Sequence, residues 1–133
     1  MKNFLSILLA IMLLSMTPAH AVTKTYQGVG EYTMADETID SAKTKAELVA
    51  ERDVLEQVSF YVKNQSAARN SKLENDEIIV IAAGILHVTD TKFQINDDGD
   101  TLRIIALVTA DIDVDELEKL LEQAVKERLA NPK

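Results

Sequence analysis

The chain has 133 residues, 22 acidic side chains against 14 basic ones, a formal net charge of −8 and no cysteine. This length allows one compact domain with its own core, which must hold together without disulfides. The acidic balance repels nucleic-acid phosphates and anionic lipid, so neither is an expected partner.

The first 21 residues have the parts of a secretory signal. A lysine near the start precedes the short apolar run Phe4–Met16, and Ala19-His20-Ala21 closes it with the small-x-small pattern of a cleavage site. The run is too short to span a bilayer comfortably, which favours cleavage over an uncleaved membrane anchor. A lipoprotein is excluded here because there is no cysteine to acylate. We therefore expect a signal peptide at residues 1–21, a single domain at residues 22–133, and export to the periplasm or the extracellular space.

Lys24–Met34 is predicted to be a β-strand. Tyr26, Tyr32 and Met34 fall on one face of a period of two, and polar residues fall on the other. Gly28 and Gly30 lie between the apolar residues, where they either leave room for another element to approach closely or mark a β-bulge. They do not form a phosphate-binding loop, because no third glycine follows.

Ala35–Thr38 is predicted to turn into a helix that runs from about Ile39 to Phe60 or Tyr61, with Thr38 as its N-cap. One apolar stripe recurs at spacings of four and three along it: Ala42, Ala46, Ala50, Val54, Val58 and Tyr61. The alanines predict close packing of the first half against the sheet. Tyr61–Lys63 is a candidate start of a short strand, and most of Asn64–Lys72 is expected to be a polar surface loop.

Leu73–Ala83 fits both a helix and a strand. The β-branched run Ile78–Ile81 favours a strand, whereas Ala82-Ala83 before Gly84 is typical of a helix end. The short helix is the preferred interpretation.

Ile85–Ile95 and Thr101–Ile112 are predicted to form a β-hairpin around the Asp-Gly turn at Asn96–Asp100. The second strand carries one continuous core face: Leu102, Ile104, Ala106, Val108, Ala110 and Ile112. The first strand is less regular around Thr89–Thr91, which predicts a bulge or a sheet edge there.

Asp113 is predicted to cap a last helix, from about Val114 to Leu129, by accepting the N–H of Glu116. Its expected buried stripe is Leu117, Leu120, Leu121, Ala124 and Leu129. Together the elements predict an α+β fold, with a mainly antiparallel sheet of three or four strands packed by two long helices.

Nucleophilic catalysis has little support in the sequence. There is no cysteine and no G-x-S-x-G elbow. His87 is the histidine outside the predicted signal peptide, and it lies in a predicted strand. No serine and no further metal-binding residue stand at a suitable spacing from it. We assign no catalytic and no cofactor-binding residue.

Two acidic clusters are candidate metal sites. Asn96–Asp100 resembles the start of a calcium loop, but Thr101 stands where that loop needs glycine and Leu107 where it needs glutamate. Asp111, Asp113, Asp115 and Glu116 alternate around a strand end and remain a minor calcium alternative. We assign no metal ligand and predict that folding does not require calcium.

The order and spacing of several short motifs resemble a known family. The motifs are Gly28–Met34, Glu37-Thr38 with Ala42-Lys43, Glu56-Gln57, Asp76–Ile78 with Ala82–Ile85, and Ala110–Asp113. Across Thr25–Leu121 they resemble the N-terminal domain of flagellar assembly protein T and, more closely, small exported proteins of Gram-negative-type Firmicutes. The resemblance implies an α+β domain of the cell envelope that takes part in assembly or binding. It implies no catalytic residues.

The expected function is therefore a non-enzymatic envelope binding or assembly module that contacts another exported protein. Either an open sheet edge or the loop Asn64–Lys72 is expected to carry the contact. The alternative is a small hydrolase or metal-dependent enzyme whose site residues follow no familiar pattern.

Overall fold

The computed structural model describes residues 22–65 and 72–131, which fold as a sheet with helices packed against one of its faces. In chain order the elements are β1 (Thr23–Thr33), α1 (Ile39–Gln65), α2 (Asn75–Ala83), β2 (His87–Asp97), β3 (Leu102–Asp113) and α3 (Val114–Ala130). The predicted α+β class is confirmed. The predicted signal peptide and residues 66–71 of the predicted loop lie outside the described residues.

The sheet has three antiparallel strands in the order β1-β3-β2. Because β3 is central, its even-numbered side chains from Ile104 to Ile112 are buried, as predicted, while Leu102 at the strand's start is only partly buried. The predicted hairpin joins β2 to β3, and Gly99 takes the positive φ of 90° in its turn. The predicted bulge is present as a register shift between Val88 and Asp90.

Helix α1 lies almost against the backbone of β1, as the alanines predicted. A Cβ atom on Gly28 would lie 2.2 Å from the carbonyl oxygen of Ala50, and one on Gly30 would lie 2.1 Å from that of Ala46. Ala42, Ala46 and Ala50 have no exposed surface. Two glycines on the strand and three alanines on the helix therefore set the distance between the layers.

The start of α1 is fixed by polar contacts. The Ser41 N–H donates to Thr38 Oγ1 at 3.1 Å, which confirms the predicted N-cap. The Glu37 carboxylate accepts from Lys45 Nζ at 2.7 Å and from Tyr32 Oη at 2.5 Å. These contacts join the end of β1, the turn and the first two turns of the helix.

The expected strand at Tyr61–Lys63 is wrong, because α1 continues to Gln65. Val62 is 3% exposed and belongs to the core, and the ring of Tyr61 lies 3.3 Å from the ammonium group of Lys24. Two faces of this last part of the helix are packed, so its apolar residues continue the helical period instead of starting a strand.

A second half of the core lies where α2 packs against α1 and α3. Ile78 and Ile79 of α2, with Leu117 and Leu121 of α3, are buried there. The preferred short helix at Leu73–Ala83 is thus confirmed, as α2. The fully buried Ser59 hydroxyl donates to the side-chain oxygen of Asn75, which ties α1 to the start of α2.

Helix α3 begins as predicted, with the Glu116 N–H donating to Asp113 Oδ1 at 3.0 Å. The prediction that Leu129 is buried is wrong, because its side chain is 60% exposed. In that turn Arg128 points toward α2 instead, and its guanidinium donates to the Lys72 carbonyl and to Glu77.

Candidate functional site

The two edges of the sheet differ in their chemistry. In an antiparallel sheet the backbone groups of alternate residues in an edge strand point away from the neighbouring strand. On β1 the outward Val29 N–H donates to Asp53 Oδ2 at 2.9 Å, and the outward Gln27 carbonyl accepts from Gln57 Nε2 at 2.8 Å. Side chains of α1 therefore occupy the middle of the β1 edge.

The edge of β2 has no such cover. Odd-numbered residues of β3 bond to β2, so after the bulge Thr91, Phe93 and Ile95 direct their N–H and C=O groups outward. No hydrogen bond between described residues engages these backbone groups. We call this row of three residues the β2 edge.

The side chains of the β2 edge lie on the face of the sheet that carries α1, but α1 covers β1 and β3 and leaves β2 open. Phe93 is 38% exposed and Ile95 is 45% exposed. The ammonium group of Lys43 lies 5.4 Å from the centre of the Phe93 ring, and the Thr91 hydroxyl donates to Glu47 Oε1 at 3.1 Å. The β2 edge thus combines unpaired backbone groups with uncovered apolar side chains.

The opposite face of the sheet is packed by none of the described helices. Ile105 and Leu107 of β3 are only half-buried there, and Val29 beside them is 55% exposed. Charged residues surround them, among them Glu31 and Arg103, which pair at 3.1 Å. This mixture is typical of a solvated sheet face.

His87 lies directly across from Asp111 on this solvated face. The Thr25 hydroxyl donates to Asp111 Oδ1 at 2.6 Å, while Asp113 caps α3. These contacts hold Asp111 and Asp113 in separate structural roles. In residues 22–65 and 72–131 no group of three or more histidine and acidic side chains is placed to hold a metal ion.

Two cavities lie away from the β2 edge. One of about 320 Å³ lies beside the hairpin turn, between Met34 and Asp97 to Leu102. The other, of about 420 Å³, lies between α2 and α3 and is mainly apolar, with Val80, Ile81, Ile85 and Leu120 in its walls. The first cavity is lined by residues of the hairpin turn, and the second mainly by apolar side chains of the two helices.

The sequence pointed to a sheet edge without identifying which one. In the sequence, polar residues alternate with Thr91, Phe93 and Ile95. Strands that are paired on both sides show the same alternation, so the pattern does not distinguish an edge strand from a central one. The loop Asn64–Lys72 was the other expected contact. Its first two residues belong to α1, and the Lys72 carbonyl is bonded to Arg128.

No protein-family model matches the chain, and no curated protein or solved structure shows significant similarity to it. Among the helices of the part of the chain that the structure describes, none is long and apolar enough to cross a membrane.

Proposed function

We propose that this domain is a non-catalytic recognition module that binds an extended segment of another exported protein at the β2 edge. The observation that carries the proposal is the contrast between the two edges: α1 side chains occupy the middle of the β1 edge, and no described residue bonds to the outward backbone groups of the β2 edge. Natural sheets ordinarily protect their edges, because unpaired strands invite pairing with other chains. In strand addition, backbone hydrogen bonds provide affinity and alternate side chains provide specificity.

Export is part of the same proposal, and it depends on the charged start, the apolar run and Ala19-His20-Ala21. N-terminal sequencing of the protein from a native envelope fraction should begin at Val22. Recovery of that protein with residues 1–21 intact would refute the cleavage.

The binding role is tested by capture from intact envelope with Phe93→Lys/Ile95→Lys as the edge variant. Two exposed positions change, so the variant should melt close to the parent but lose the captured partner, because lysine opposes strand pairing at an edge. Phe60→Lys/Val80→Lys is the control, since it makes the same kind of change at two more exposed apolar side chains that lie on helices, away from the β2 edge. It should keep the partner.

Three other outcomes would contradict the β2 edge. If the edge variant keeps the partner and deletion of residues 66–71 loses it, the loop carries the contact. If both the edge variant and the deletion variant keep the partner, another surface carries the contact. If the parent captures nothing and the purified protein turns over an envelope polymer, the hydrolase alternative replaces the binding module.

A further inference from the structure

The chemistry of the bound segment can be read from the flank of α1 that overlooks β2. Lys43, Glu47 and Glu51 succeed one another at intervals of four residues, so they lie in a row along that flank. Lys43 is beside Phe93 and Glu47 is beside Thr91, so α1 and β2 run in opposite directions here. A strand added to β2 would place alternate side chains beneath this row.

The row changes sign along its length. Lys43 lies at the level of Phe93, and two carboxylates follow it toward the start of β2. Glu47 accepts a neutral hydroxyl, and in the described part of the chain neither Glu47 nor Glu51 forms an ion pair with a basic side chain. The start of the β2 edge, at Thr91, is therefore marked by negative charge, and its middle, at Phe93, by positive charge.

Glu51 is half-buried, and its carboxylate carries an electrostatic cost in the free protein. Burial raises the pKa of Glu51, and the neighbouring charge of Glu47 raises it further. A cation supplied from outside would offset this cost by direct attraction to both carboxylates, which makes this end of the edge selective for a basic side chain.

We propose that the segment paired with β2 is an extended stretch with apolar side chains at alternate positions and a lysine or arginine at the end beside Glu47 and Glu51. The proposal rests on the binding role of the β2 edge given above. The apolar side chains would cover Phe93 and Ile95, and Lys43 would repel a basic residue at the level of Phe93. A second copy of this chain fits less well, because two molecules of net charge −8 repel each other.

The probes are three labelled nine-residue peptides with blocked ends, in which valine and threonine alternate. An antiparallel segment has its C-terminal end beside Glu47, so the first peptide carries two C-terminal lysines, the second two C-terminal glutamates and the third two N-terminal lysines. Fluorescence anisotropy should rank the first peptide tightest, by about fivefold or more over the second. The third should bind more weakly than the first.

Glu47→Lys/Glu51→Lys should reverse the order of the first two peptides, because it reverses the charge at that end. Glu74→Lys/Glu127→Lys is the matched control: it makes the same change of charge at two exposed sites outside α1 and the sheet, and should leave the order unchanged. Circular dichroism melts establish that both variants are folded before binding is compared.

The outcomes separate this inference from the binding role itself. Equal binding of all three peptides, or an order that the charge reversal leaves unchanged, overturns the charge preference but leaves strand addition at β2 intact. No peptide binding overturns the inferred segment, whereas envelope capture that ignores Phe93→Lys/Ile95→Lys overturns the binding role. A dimer in sedimentation that Phe93→Lys/Ile95→Lys dissociates would make a second copy the occupant.

Discussion

Gly30 shows at the scale of a single residue how closely the layers approach. A Cβ at this position would lie 2.1 Å from the Ala46 carbonyl oxygen and 2.3 Å from the Ala50 nitrogen, and neither backbone atom can rotate away. We expect Gly30→Ala to destabilise the fold by about 3 kcal/mol or more, in chemical denaturation. Gly84→Ala is the control, because φ there is −68° and the nearest atom is 3.4 Å away. Equal stability of the two variants would contradict the close packing.

Glu37 makes the fold sensitive to acid. Hydrogen bonds from Lys45 first, and then from Tyr32, lower the pKa of Glu37 to about 2 from its ordinary 4.5. Because the unfolded chain takes up this proton at a higher pH than the folded chain, the stabilisation is present above pH 4.5 and is lost as the pH falls toward 2. The difference in Tm between the parent and Glu37→Gln should therefore narrow across this range.

Thermal melts at several pH values measure that difference. Glu56→Gln is the control, since Glu56 is an exposed carboxylate of α1 that, among the described residues, forms an ion pair with Arg52 of the same helix and with no residue of another element. An exposed pair of this kind contributes little at any pH. A Tm difference for Glu37→Gln that stays constant from neutral pH to pH 2 would show that the carboxylate is not held by Lys45 and Tyr32.

At the scale of an element, β3 has two faces with different tolerance for charge. Val108 has no exposed surface and lies under α1, whereas Leu107 next to it is half-buried on the solvated face. We expect Val108→Asp to lower the free energy of unfolding by about 4 kcal/mol or more, because its carboxylate would be buried without a partner. Leu107→Asp should lower the free energy of unfolding by about 1 kcal/mol. Urea titrations of both variants make the comparison, and similar losses would mean that the faces are assigned wrongly.

The sequence predicted elements wherever a local period reflects burial. Three correctly predicted features depend only on neighbours within one element. They are the alternation from Ile104 to Ile112, the spacing of Ala42, Ala46 and Ala50, and the Asp113 cap. The extension of α1 through Val62 and the exposure of Leu129 depend on where α2 lies, which no local pattern encodes. The β2 edge was beyond prediction for the same reason: it requires the strand order and the reach of Asp53 and Gln57 to β1.

At the scale of the whole molecule, charge and edge geometry act in opposite directions on association. An uncovered β2 edge favours pairing, and a net charge of −8 opposes pairing between copies. We expect sedimentation velocity at physiological salt to show a monomer. Because higher salt screens the repulsion, the fraction of any dimer should increase with salt concentration. A stable dimer at low salt would contradict this balance.

The contact of Asp53 and Gln57 with β1 also limits how far association can go. A linear polymer of sheets needs two available edges on every copy, one for each neighbour, whereas the middle of the β1 edge is already occupied here by side chains of α1. Two copies joined through β2 would use that edge on both molecules and leave only the partly occupied β1 edges for a third copy. Asp53 and Gln57 therefore oppose the growth of fibrils through β1.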